Sequence, residues 1–491
     1  NVHPWKSYKF SNKELVWLQA IARKNKAVLD VFAIPYSLLQ VKNFSNIEGV
    51  VVSYQNSRLA QEISAQLLFG AIAAKGKLPV SIGPEFKEGF GITSSNLSRF
   101  EYTIPEAAGL SSKKLALIDK MADTIISEKM APGLQVFVAR NGKVVLEKSY
   151  GYHTHDKKLK VRSTDIYDLA SLTKILASLP LIMKAEEEHK IPLTASLSDV
   201  LPSFSDSNKD TVTVKEVLSH FGRLKAWIPF YKDTQDSISG KNLPFFYRKQ
   251  RTNTFRVKVA ENLFIHKNYK DSIYKYIKEA DQTESAGYTY SDLGYYIFKE
   301  ALEKSYKKPL NKLVDEEFYQ SLGADRTTYL PLRKFSRDEI IPTEKDDYFR
   351  NQLLQGNVHD MGAAMLGGVG GHAGLFANAN DVGKIMQMYL QKGFYGGKRY
   401  LKSETIDKFN HRYFSKEKVR RGLGFDKPQL DPDVKATCGC VSDESFGHSG
   451  FTGTYTWADP KSGLVYVFLS NRVYPKMDNR GLIDSNMRTR I

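Results

Sequence analysis

Between residues 11 and 97 apolar positions recur at helical spacing, then as short unbroken runs, then at helical spacing again. Ser11 stands where an N-cap would open an amphipathic helix over residues 13–24. Residues 27–34 form an apolar run of strand length. Residues 49–54 carry Val50, Val51 and Val52 and read as a buried parallel strand, and residues 56–72 as a long helix. Such alternation predicts an open parallel sheet with helices packed on it. A polar stretch containing Ser94, Ser95, Asn96, Ser98 and Pro105 follows and reads as a linker.

Beyond the linker the pattern changes. Residues 115–126 have helical period, whereas residues 134–139 and 143–148 alternate between apolar and polar. Asn141-Gly142 joins these two runs and predicts a tight hairpin. An apolar helix opens near Ser171, and Pro180 should kink or divide it. Residues 186–357 read as helix- and loop-rich, with an aromatic cluster at Trp227, Phe230 and Tyr231. A helix over residues 379–391 leads into strands over 446–457 and 464–470. The expected organisation is a parallel α/β unit at residues 1–97, a linker at 98–104 and a second domain at 105–491. The second domain combines an antiparallel sheet flanked by helices with a helical lobe at about 186–357.

A chain of 491 residues has room for two cores. Its 42% apolar and 25% charged residues are those of a soluble globular protein. The net charge of +17 is spread along the chain, which speaks against a dedicated nucleic-acid groove. It leaves an acidic polymer such as cell wall, or plain solubility, as its meaning. No apolar stretch is long enough to span a membrane. Cys438 and Cys440 are one residue apart, so a disulfide would close a strained ring, and two ligands are too few for a structural zinc site. They read as a loop feature. The chain begins Asn1-Val2-His3-Pro4 without Met, as expected of a processed or trimmed start.

Ser171-Leu172-Thr173-Lys174 carries the most chemistry. A serine and a lysine three apart lie on one helix face. At the helix N-terminus free N–H groups can stabilise an oxyanion, and the lysine can take the hydroxyl proton if burial lowers its pKa. Alone, the pattern is more often a capping serine beside a solvated lysine at a surface helix start. Two further segments change that: Tyr290-Ser291-Asp292, and His448-Ser449-Gly450 followed by Phe451. Ser-x-x-Lys, then Tyr-x-Asn, then Lys-Thr-Gly or His-Ser/Thr-Gly is the motif order of serine β-lactamases and penicillin-binding proteins, and this chain resembles that superfamily. The tyrosine makes it similar to the class C branch and its esterase and peptidase relatives.

The resemblance implies a β-lactamase/transpeptidase-like fold with the 134–148 hairpin opening its central sheet. It implies Ser171 as nucleophile, Lys174 as its activator and Tyr290 as a second proton carrier near the leaving group. Otherwise Tyr290 is one of 27 tyrosines packing a core. Asp292 stands where the family more often has Asn; a carboxylate beside Lys174 would raise the lysine's pKa, so either it points away or Tyr290 bears more of the base role. His448 replaces a lysine and makes the site less cationic and pH-sensitive. Ser449 and Gly450 would face substrate, with Gly450 letting it approach the backbone closely. The N–H of Phe451 would complete an oxyanion hole with that of Ser171.

The run from Gly367 to Phe376 has no P-loop lysine after it, and its His372 and the nearby His359 lack a metal-site spacing. It reads as a tight loop beside the site, with His359 or Asp360 touching substrate. Ser219-His220 and Trp227 resemble a family segment at the pocket rim, or a helix end and a core aromatic. No metal or organic cofactor is needed.

Residues 1–97 resemble the end of the C-terminal domain of family-three glycoside hydrolases, particularly bacterial β-N-acetylglucosaminidases. The resemblance rests on Phe32-Ala33-Ile34-Pro35-Tyr36, Val52-Ser53-Tyr54-Gln55-Asn56-Ser57, Gln66-Leu67-Leu68-Phe69-Gly70-Ala71 and Gly76-Lys77-Leu78-Pro79-Val80-Ser81-Ile82. That family's catalytic barrel is absent, so no glycosidase residue is assigned. The pairing implies a serine hydrolase acting on peptidoglycan fragments, first a muropeptide amidase. A DD-peptidase, an esterase or a β-lactamase is the alternative within the class, and a non-catalytic peptidoglycan-binding module the alternative outside it. The expected partner is a peptidoglycan-derived small molecule, not nucleic acid. Its chemistry points to the periplasm or the exterior, with the cytoplasm open to a recycling enzyme. Oligomeric state is not legible.

Overall fold

The computed structural model describes residues 9–284, 287–431 and 437–490, so the start at Asn1, on which the expectation of processing rests, lies outside the described residues. Two compact units meet at the Tyr102–Thr103 bond.

In the first unit Ser11 caps the helix Asn12–Ala22: its hydroxyl accepts from the Glu14 N–H, and the Glu14 carboxylate accepts from the Ser11 N–H at 2.7 Å. Strands Ala27–Val31 and Ile47–Val52 pair in parallel, and Ser57 caps the helix Arg58–Leu68. A small core gathers Val31, Leu38, Val41 and Ile82. The open sheet expected here is one parallel pair among the described residues, and Val50, Val51 and Val52 are half-buried rather than buried. Trp17, Leu59 and Phe69 are exposed, so neither layer is fully covered.

The second unit is built on an antiparallel sheet. From its edge the strands run Phe446–Ser449, Tyr455–Asp459, Leu464–Ser470, Gly133–Arg140 and Lys143–Gly151. Asn141 and Gly142 both have positive φ, 52° and 76°, as a two-residue hairpin turn requires. Period two sorts the strand residues between the faces. Leu134, Val136 and Val138 pack with Ile118, Ala122 and Ile125 of the helix Leu117–Ser127. Phe137 points the other way, where a Cβ on Gly383 of the helix Ala379–Leu390 would meet its ring at 2.6 Å. The middle of the chain is helical as expected, with Tyr269–Glu279 and Leu293–Tyr306 its longest helices. It also holds a three-stranded antiparallel sheet over residues 247–265, which the alternation Phe255-Arg256-Val257-Lys258-Val259 marks and the expectation of helix and loop misses.

The helix after Ser171 is divided as Pro180 demands, by a device the sequence did not show. Lys174–Ser178 is a π-turn, and Leu179–Glu187 continues as α-helix. Pro180 has no N–H for the Leu176 carbonyl. The buried Tyr319 hydroxyl donates to that carbonyl at 2.9 Å, and Tyr389 donates to Ile175 O at 2.8 Å. Cys438 and Cys440 do lie in a loop, but they are joined as a disulfide, contrary to the expectation drawn from their spacing. No helix among the described residues is long and apolar enough to cross a membrane.

Candidate active site

Ser171 follows a residue held in an unusual conformation: Ala170 has φ 45°, and its N–H donates to Asp168 Oδ1 at 2.9 Å. The other oxygen of Asp168 accepts from the His359 N–H at 2.7 Å. Burial raises the Asp168 carboxyl while these two N–H groups oppose the rise. One buried carboxylate thus ties the nucleophile turn to the 358–360 loop. The glycine-rich run packs beside them: Leu375 N–H donates to Thr173 Oγ1 at 3.1 Å, and Ser178 Oγ to Gly371 O at 2.6 Å.

The Lys174 ammonium is fully buried and donates to Ser171 Oγ at 2.9 Å and to His372 O at 3.4 Å. Asp292 turns toward it, Oδ1 to Nζ 2.6 Å. Burial pulls the lysine's pKa down, but Asp292 first and Tyr290 second outweigh it, and the net direction is upward. Lys174 therefore rests charged. The Tyr290 ring lies 5.1 Å from Nζ, and its hydroxyl is pushed up by burial, with Lys174 pulling the other way. His220 supports this ring at 4.7 Å between centroids and accepts from the Ser291 N–H at 3.1 Å. His220 is thus a buried layer behind Tyr290, not a rim residue.

His448 sits on the edge strand opposite Thr456. Its Nδ1 lies 2.7 Å from Ser449 O and must donate to that carbonyl, so in the neutral ring Nε2 is the acceptor. Burial and then Arg421 hold its pKa well below the ordinary value. It therefore stays neutral through the physiological range, and the expected pH sensitivity does not reside there. Ser449 lines the pocket beside it. Gly450 lines the same pocket and has a close neighbour within the protein. A Cβ there would strike Thr454 Oγ1 and approach Leu169 O at 2.5 Å, so the neighbour that needs the glycine is the protein's own nucleophile turn. Thr452 Oγ1 donates to Asp168 O at 2.7 Å and Thr454 Oγ1 to Leu169 O at 3.0 Å, closing the same junction. Among the described residues, the Ser171 and Phe451 N–H groups have no partner within the protein, as an oxyanion hole requires.

These groups face a pocket of about 630 Å³. Half-exposed Trp227 stands at its mouth. His359 lies in the wall, its Nε2 2.9 Å from Glu344 and its ring stacked on Phe451 at 5.5 Å. Asp360 Oδ1 pairs with His372 Nε2 at 2.8 Å, which holds the Asp360 carboxyl low despite burial. Among the described residues no group of three or more His, Cys, Asp or Glu could hold a metal ion.

The sequence profile described as Beta-lactamase matches residues 122–487, three quarters of the chain. The chain belongs to the beta-lactamase family. A Bacillus subtilis (strain 168) protein named N-acetylmuramyl-L-alanine amidase is 28% identical over 415 residues, spanning 78% of this chain and 87% of that protein. A Salmonella typhi protein, provisionally named D-alanyl-D-alanine carboxypeptidase, is 30% identical over 397 residues, spanning 76% and 86%. A penicillin-binding protein homologue from Caulobacter crescentus shares the fold at a TM-score of 0.54 and 18% identity, over 72% of this chain and 91% of its own. The second unit thus has the beta-lactamase and penicillin-binding-protein fold, and the protein is a serine hydrolase.

This beta-lactamase-family pocket holds groups the motifs did not announce. Arg420, Arg421, Asp426, Arg472 and Arg488 all line it. The only sequence signal for the first two is a pair of cations running into the apolar stretch Gly422-Leu423-Gly424-Phe425.

Proposed function

We propose that this protein is an amidase of peptidoglycan fragments that works through an acyl-enzyme at Ser171. The carrying observation is the 2.9 Å contact between Lys174 Nζ and Ser171 Oγ, with Ser171 and Phe451, whose N–H groups are unpartnered, both lining the pocket. The likeness to a protein named N-acetylmuramyl-L-alanine amidase supports the choice of bond.

In this reading the reacting form of the protein is the one whose Lys174–Tyr290 pair has given one proton to solvent; Ser171 Oγ attacks the amide carbonyl and its proton refills that place in the pair. The oxygen of the tetrahedral intermediate takes the two N–H groups. Because Asp292 holds Lys174 charged, the larger share of proton transfer falls to Tyr290. The pair returns a proton to the departing amine, leaving an ester on Ser171. Water then adds to the ester by the reverse proton path and frees the acid. His448 stays neutral and supplies no fixed charge for a lactam carboxylate.

The first unit is proposed to be the closing part of a family-three glycoside-hydrolase C-terminal domain. Its single parallel pair and exposed Trp17, Leu59 and Phe69 are what one portion of a larger α/β sandwich would show. The substrate chemistry favours the periplasm or the exterior as compartment.

Incubation with N-acetylmuramyl-L-alanyl-D-isoglutamine, followed by mass spectrometry, should show N-acetylmuramic acid and the dipeptide. Rapid hydrolysis of nitrocefin with no cleavage of any muropeptide would replace this reading with a lactamase.

A further inference from the structure

The Arg420–Arg421–Asp426 cluster is short of one negative charge. Arg420 forks onto Asp426, Nε to Oδ1 at 2.8 Å and Nη2 to Oδ2 at 3.1 Å, which occupies both carboxylate oxygens. Arg421 is left with a 3.4 Å approach to Asp426 Oδ1 and a 3.2 Å hydrogen bond from Nε to the Tyr288 hydroxyl. Arg421 is 4% exposed and lines the catalytic pocket, and its guanidinium lies 5.2 Å from the Tyr290 ring. Its Nη1 has no hydrogen-bond partner. Leaving a buried charged donor unpaired is costly unless something else completes it. The neighbouring acids do not: Asp292 is taken by Lys174 and Asp360 by His372.

We infer that Arg421 binds a carboxylate of the substrate on the amine side of the scissile bond. This rests on the amidase reading above and names its specificity determinant. The side follows from position. Tyr290 delivers the proton to the departing amine, and Arg421 stands 5.2 Å from the Tyr290 ring, whereas the acyl oxygen is held by the Ser171 and Phe451 N–H groups. The usual cation of the third motif is replaced by neutral His448, so the charge that recognises an acidic leaving group comes from residue 421 instead. The substrate class is an amide whose amine portion is an acidic peptide.

The test compares N-acetylmuramyl-L-alanyl-D-glutamate, with two free carboxylates, and its diamide, with none. The wild-type protein should favour the acid by about tenfold or more in kcat/KM, chiefly through KM. In Arg421→Gln that preference should collapse toward unity, and Arg421→Lys should recover part of it. A purely structural role would lower both substrates together and leave their ratio intact, and that result would overturn the inference. Thermal melting and labelling of Ser171 by a fluorophosphonate, a probe without a carboxylate, establish that each variant is folded. If the wild-type protein cleaves neither substrate, the amidase reading fails separately, and protection of Ser171 from the probe decides the Arg421 question. Protection by the acid and not by the diamide, lost in Arg421→Gln, sustains the carboxylate site; equal protection by both removes it.

Discussion

Asp292 Oδ1 lies 2.6 Å from Lys174 Nζ, closer to the lysine than Ser171 Oγ is at 2.9 Å. The group meant to accept the serine's proton is thus engaged by a carboxylate, and its pKa is moved up rather than down. Asp292→Asn removes that charge and lets burial pull Lys174 down. The unprotonated amine is then present at lower pH. The acidic limb of the pH–kcat profile should move toward lower pH, with activity retained. An unchanged limb would show that Lys174 does not titrate in turnover.

Lys174 and Tyr290 divide the proton transfers, so neither alone suffices. Lys174→Ala and Tyr290→Phe should each lower kcat by roughly 100-fold or more. Near-normal turnover in a folded Lys174→Ala protein would exclude this mechanism. Steady-state kinetics on one muropeptide reads both variants.

Ser171 should be the single covalent residue. A fluorophosphonate should add once per chain, in the peptide containing Ser171. Labelling that persists in Ser171→Ala would place the nucleophile elsewhere.

Gly450→Ala should harm both stability and catalysis. The new methyl meets Thr454 Oγ1 and the Leu169 carbonyl, and the second of these is backbone that cannot swing aside. A cost of about 1–3 kcal/mol is expected, read as a lower melting temperature. The Phe451 N–H follows Gly450 directly, so the rate of Ser171 acylation should fall as well. A variant with normal melting and normal labelling would mean that the junction tolerates the methyl.

The parts legible in the sequence were those set by local chemistry. Asn141-Gly142 fixed its hairpin because both residues accept positive φ, and Ser11 with Glu14 fixed a helix start. Three residues of helix bring Ser171 and Lys174 together whatever surrounds them. What stayed hidden depends on distant chain. Arg421 meets Tyr290 across more than a hundred residues and follows no periodic pattern. The direction of Asp292 had two outcomes that no neighbouring residue decided. The depressed pKa of His448 comes from burial and from Arg421, neither of which spacing reveals. Pro180 announced a break in the helix, but the π-turn needed Tyr319 and Tyr389 from elsewhere to satisfy its carbonyls. Val50, Val51 and Val52 looked buried because an apolar run carries no mark of how many layers will cover it.

The threonine strap between residues 450–454 and the Asp168–Leu169 carbonyls has a kinetic meaning. Ser171 and Phe451 belong to chain segments far apart in sequence, yet Thr452 and Thr454 lock one to the other without help from any ligand. Arriving substrate spends no binding energy on bringing the two N–H donors together. Discrimination between substrates must then be exercised away from those two donors, at the leaving-group end of the pocket where Arg421 is inferred to act. Changes at that end should alter which amide is chosen far more than how fast a well-seated one reacts.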